Sequence, residues 1–162
     1  MFSKGQKMIN NSLPSINKDK ILTLLPHRDP MLLIDNLYNI IPMKSGLGHL
    51  KLNEDKFFLQ GHFPGQPVMP GVLIVESFGQ AAAALAAYSL DPKIVEDKLV
   101  YLMSVQSAKF RKPILPPCDL YLDCKVDKIK GKIWRYKGTA YCNNEKMAEA
   151  EWMATIVDRN DK

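Results

Sequence analysis

Cysteine and histidine are scarce in this chain of 162 residues, three of each, and neither is arranged as a site. Cys118, Cys124 and Cys142 are odd in number and lack a Cys-x-x-Cys spacing, which argues against a disulfide framework or a zinc site and for a reducing compartment. His27, His49 and His62 show no metal-ligand spacing either, so no metal or other cofactor is expected. Internal repeats, low-complexity tracts and linkers are also missing, which leaves one domain, and 46% hydrophobic residues suffice for its core. Residues 1–20 are polar and weakly basic, with Lys4, Lys7, Lys18 and Lys20 but no apolar centre of a secretory signal. They read as a flexible tail ahead of a single domain over 21–162, and a cytoplasmic location is expected.

Charge is nearly absent from the run Gly71 to Leu90, which is long enough to suggest a membrane span. Glu76 and Gln80 oppose insertion, Glu76 by ~2 to 3 kcal/mol, and the alanines add little apolar drive. A buried helix of a soluble domain fits better, with Leu73, Ile74, Phe78, Leu85 and Tyr88 spread around its circumference. Glu76 and Gln80 are four apart and share one face. Burial disfavours an ionised carboxylate, so Glu76 is expected to titrate high; it is either functional or a structural carboxylate satisfied by backbone donors.

The turn before this helix is stiff. Pro64, Pro67 and Pro70 fix backbone angles and remove donors, while Gly61, Gly65 and Gly71 permit close approach. His62 sits inside that turn. The amides of Gly71 and Val72 fall at the positive end of the helix dipole, where a carbonyl oxygen gaining negative charge would be held. A histidine in a rigid turn next to a carboxylate in an apolar helix suggests proton transfer.

Downstream the period changes to two. Leu120, Leu122, Cys124 and Val126 alternate with Tyr121, Asp123, Lys125 and Asp127. Lys130-Gly131-Lys132 reads as a turn into a strand from Ile133 to Cys142, and Ala148, Ala150, Trp152, Ala154 and Ile156 alternate with Glu149, Glu151, Met153 and Thr155. One long helix among strands predicts an α+β domain. The net charge is +5, and Lys125, Lys128, Lys130, Lys132, Arg135 and Lys137 crowd one hairpin with Tyr121, Trp134 and Tyr136. A nucleic-acid surface could be built from them, but a solvated basic face is the reading preferred, with no nucleic acid and no membrane insertion expected.

The stretch from Gly61 to Gln80 resembles the signature of the (3R)-hydroxyacyl-acyl carrier protein dehydratases of type II fatty acid synthesis, the FabZ type. Leu24 to Asp35 is similar to that family's opening strand motif, Lys109 to Pro113 to its later strand, and Met147 to Glu151 to its closing strand. The likeness covers roughly residues 20–158. It implies a hot-dog fold, an antiparallel sheet wrapped around one long central helix, here the Gly71 helix. It also implies a homodimer in which His62 works with Glu76 of the other copy, and a trimer of dimers. Acyl carrier protein would be the partner, with Lys109, Arg111 and Lys112 as candidates for steering its acidic surface.

Elimination of water then assigns the roles. The Gly71 amide, with Val72 beside it, stabilises the enolate oxygen of the thioester, His62 removes the C2 proton, and Glu76 protonates the departing C3 hydroxyl. Gln80 either positions Glu76 or an ordered water, or is a polar spacer. Tyr101 matches a position lining the acyl tunnel in relatives, where a packed aromatic would read the same. His27 is expected to serve as a structural hydrogen-bonding group and His49 as a surface residue. Gln66 stands where relatives commonly carry His, and Pro116-Pro117-Cys118-Asp119 replaces their Pro-Gly-Asp turn. Glu at 76 favours a dehydratase over the dehydratase-isomerase class without closing off isomerisation. A hot-dog thioesterase and a catalytically silent acyl-binding module are the alternatives.

Overall fold

The computed structural model describes residues 8–159. Six antiparallel strands form one sheet in the order β1-β2-β4-β5-β6-β3: β1 Asn36–Ile41, β2 Ser45–Leu52, β3 Lys98–Phe110, β4 Cys118–Lys130, β5 Ile133–Cys142 and β6 Glu145–Asp158. Three helices accompany them, α1 Lys18–Leu24, the long α2 Gly71–Ser89, and the short α3 Pro92–Val95. The alternation read downstream is borne out, since β4 and β5 meet at a turn where Gly131 takes φ +59°, a left-handed conformation open to glycine.

Most of α2 lies in the core, from Ile74, Ser77 and Phe78 through Gln80 to Ala87. Its alanines let the sheet close on it, and this is the hot-dog arrangement that the resemblance implied. The approach is tightest at Phe78, whose ring stacks on Trp152 with centroids 5.3 Å apart, and Trp152 stacks in turn on Tyr136 at 5.5 Å. Gly138 of β5 leaves room for that stack: a Cβ there would stand 2.7 Å from the Phe78 ring. The helix has the length and composition of a membrane span, yet most of it is buried inside the fold.

Three expectations are altered. Leu24 to Asp35 is not an opening strand; past α1 it is irregular chain, and β1 begins only at Asn36. Leu32, Leu33 and Ile34 are consecutively buried, which a strand with one wet face would not allow, and the Leu33 amide is taken by the Gln80 side chain rather than by a neighbouring strand. The likeness at Lys109 to Pro113 covers only the end of a strand, because β3 stops at Phe110. Cys118 and Cys142, expected to be free, are joined by a disulfide with Cα atoms 6.5 Å apart, while Cys124 is free and buried. The pairing of β4 with β5 brings those two residues together, which spacing along the chain does not disclose.

Of the stretch 1–20, residues 1–7 lie outside the described residues. Residues 8–20 pack against the sheet: Asn39 of β1 donates to the Met8 carbonyl, Ile16 is buried and bridges Leu37, and Asn17 caps α1 by accepting from the Lys20 amide.

Candidate active site

His62 is held by a reciprocal pair of contacts with Val68. The Val68 amide donates to the His62 carbonyl at 2.8 Å, and Nδ1 of His62 lies 2.7 Å from the Val68 carbonyl. A carbonyl only accepts, so Nδ1 carries the proton and the lone pair of the neutral ring is on Nε2. Between them Phe63 and Gln66 exchange backbone bonds at 3.0 and 2.9 Å, closing a small loop, and the His62 ring stacks on Phe63. The Met69 amide donates to Ile114 and anchors the loop to the segment beyond β3.

α2 starts beside this loop. Leu73 and Ile74 both donate to the Pro70 carbonyl, and no acceptor among the described residues takes the amides of Gly71 and Val72. His62, Gly71, Phe110, Arg111 and Lys112 line one cleft of about 280 Å³. Gly71 has no spare room on that side, because a Cβ would come within 2.9 Å of the Phe110 ring. Val72 is largely exposed.

Glu76 sits one helical turn further along. Nε2 of Gln80 donates to its Oε1 at 2.9 Å, and Nε2 of His27 stands 3.5 Å from the same atom. Gln80 is no spacer: it is buried, accepts from the Leu33 amide at 2.8 Å and donates to the Met31 carbonyl at 2.7 Å. The expectation that Glu76 titrates high is overturned for the chain by itself. His27 holds its carboxyl below the usual carboxylate range, burial opposes this, and Gln80 adds to the lowering. Sequence reasoning placed the carboxylate in an apolar helix and expected His27 to be a hydrogen-bonding group, but did not join the two. The signal lay in the chemistry of the Pro26-His27-Arg28 stretch, not in its distance along the chain.

No hydrogen bond or ion pair joins His62 to Glu76 among the described residues of one chain. Tyr101 is exposed on β3 opposite Thr155 and lines neither this cleft nor the cavity beside His27. That cavity is narrow, apolar and about 30 Å³, bounded by Leu25, Ala83, Ala86 and Val100. Arg111 and Lys112 stand at the His62 cleft, paired to Glu149 and Glu145 respectively, whereas Lys109 lines a separate depression with Lys137 and Glu151. His49, expected on the surface, is mostly covered, between Asp119 at 2.9 Å and Asn36 at 3.1 Å. In the basic hairpin Trp134 and Tyr136 are buried in the core, and Arg135 and Lys137 pair with Asp127. Among the described residues no three His, Cys, Asp or Glu side chains gather to hold a metal ion.

Residues 25–151 match the model of the FabA-like domain. The chain is 44% identical over 146 residues to a 3-hydroxyacyl-[acyl-carrier-protein] dehydratase FabZ from Anaeromyxobacter sp. (strain K), spanning 90% of this chain and 94% of that protein. A protein of the same name from Myxococcus xanthus is 46% identical over 143 residues, 87% of this chain and 92% of the other. Among solved structures, the dehydratase heterocomplex ApeI:P from Xenorhabdus doucetiae superposes with a TM-score of 0.76 at 16% identity, covering 87% of this chain and 93% of that one, a likeness of fold. With a domain match over most of its length and close relatives along nearly all of it, the chain belongs to the FabA-like family, in its FabZ branch.

Proposed function

We propose that the chain is a hydro-lyase that converts (3R)-hydroxyacyl-acyl carrier protein to the trans-2-enoyl thioester in fatty acid synthesis. The carrying observation is that the His62 ring, its Nδ1 committed to Val68, leaves Nε2 as the free base at a cleft shared with the start of α2. The thioester oxygen is held by the amides of Gly71 and Val72, and His62 Nε2 takes the C2 proton as negative charge moves onto that oxygen. Glu76, set by Gln80, gives a proton to the C3 hydroxyl, which departs as water. No cofactor enters these steps.

His62 works with Glu76 of a second copy of the chain. Support comes from the lack of any hydrogen bond or ion pair between the two side chains among the described residues of one chain, and from the edge of the sheet. Among the described residues β3 has one strand neighbour, β6, and it exposes Tyr101, Leu102, Met103, Val105 and Phe110, an apolar edge of the kind a second chain covers. A partner laid over Glu76, whose side chain is 32% exposed, would strip water from it and raise its pKa toward that of a proton donor. Such dimers assemble further into a trimer of dimers. Tyr101 then borders the acyl path at this edge. Lys109, Arg111 and Lys112 steer the acidic carrier protein, and the enzyme works in the cytoplasm.

The test is incubation of the purified protein with a 3-hydroxyacyl thioester while enoyl absorbance is followed. Growth of that absorbance supports the reading. Release of free thiol without it would point to a thioesterase, and no turnover would point to an acyl-binding module.

A further inference from the structure

Both polar neighbours of Glu76 converge on one of its two oxygens. Gln80 Nε2 donates to Oε1 at 2.9 Å, and His27 Nε2 lies 3.5 Å from that same Oε1. No donor among the described residues reaches Oε2. The orientation of Gln80 is not free, because its own Oε1 accepts from the Leu33 amide, so its amide nitrogen must be the atom that faces Glu76. The tautomer of His27 is constrained as well. Its Nδ1 is buried with no hydrogen-bond partner among the described residues, and a proton there would be a buried, unsatisfied donor. The neutral ring therefore carries its proton on Nε2, the nitrogen turned to Glu76.

We propose that His27 is a positioning residue for the dehydration: with Gln80 it occupies Oε1 of Glu76, so that Oε2 carries the transferable proton and faces the substrate hydroxyl. This rests on the reading of Glu76 as the proton donor. When the carboxyl is protonated, the Gln80 hydrogen bond and the His27 contact both lie at Oε1, and the proton sits on Oε2. On elimination the C2–H electrons form the new double bond, His62 keeps the C2 proton, the C3–O bond breaks, and Oε2 passes its proton to the leaving oxygen to make water. The carboxylate left behind is received at Oε1 by the two donors, and His62 returns its proton to Glu76 through solvent before the next cycle. The lowering of the Glu76 pKa, for which His27 is the leading cause, agrees with such a contact. Other charged groups nearby are committed elsewhere: Arg28 donates to the carbonyls of Leu25 and His27, and Lys98, across the narrow cavity, pairs with Asp158.

The experiment compares His27→Phe, which keeps the apolar wall but removes the donor, with His27→Gln, whose amide nitrogen reaches the place of Nε2. The Phe variant is expected to lose about tenfold in kcat with little change in KM, the scale of a misplaced catalytic group. Removing a donor to the carboxylate destabilises the anion and raises its pKa, so the limb of the kcat–pH profile governed by Glu76 should move to higher pH in the Phe variant. The Gln variant should keep both kcat, within about threefold, and the limb. Should the Phe variant not fold, His27→Asn, which fills the Nδ1 position and leaves that of Nε2 empty, is expected to show the same loss. A Phe or Asn variant with the kcat and limb of the parent, or a Gln variant as impaired as they are, overturns the role of His27. A parent protein that forms no enoyl product would instead overturn the reading of the site itself.

Discussion

Nδ1 of His62 lies 2.7 Å from the carbonyl oxygen of Val68, and this contact leaves Nε2 as the nitrogen able to accept a proton. A base fixed in one tautomer needs no proton shift before it acts, and its loss should be felt in the chemical step. His62→Ala is expected to lower kcat on the order of 100-fold or more, as is Glu76→Gln, with the protein still folded by circular dichroism and unchanged in elution by gel filtration. Near-normal turnover in either purified variant would remove that residue from the mechanism.

The proposed division of the site between two chains makes a different demand. A mixed dimer of His62→Ala and Glu76→Gln chains holds one site missing both groups and one intact site. After random exchange about half of the dimers are mixed, so activity should recover to roughly a quarter of the parent level. Verified exchange without recovery would place both groups in the same chain.

As a proposed route for the acyl chain, the narrow cavity beside His27 is bounded on the α2 side by the small side chains of Ala83 and Ala86. Ala83→Leu is expected to depress turnover of long-chain thioesters at least tenfold more than that of short-chain ones, by filling the path rather than touching the reacting atoms. Equal losses for both lengths would mean that the acyl chain runs elsewhere.

Gly138 faces Phe78 and Trp152, where a Cβ would meet ring atoms at 2.7 and 2.9 Å. These are stacked rings in the core, not the ends of flexible chains. Gly138→Ala should destabilise the fold by ~1 to 3 kcal/mol through overpacking. The check is denaturant unfolding, where an unchanged midpoint would show that the stack yields without strain.

Which parts of this protein could be read from its sequence follows from how local their causes are. The stiff turn around His62, the helix beginning at Gly71 and the three strands after Cys118 rest on proline and glycine geometry and on periodicity, which act within a few residues. Glu76 and Gln80 could be placed on one face because a helix repeats every 3.6 residues. Folding decided the rest, by bringing together residues whose separation carries no signal. His27 reaches Glu76, and Leu33 meets Gln80, only because the irregular chain ahead of β1 crosses α2. In the chain by itself those contacts turn the Glu76 pKa down rather than up, with His27 the first cause and burial opposing it. Strand pairing likewise joined Cys118 to Cys142 and set Glu149 against Arg111. Composition and spacing prescribe which groups are available, and only the packing of distant segments determines which of them meet, because a contact depends on position in space rather than along the chain.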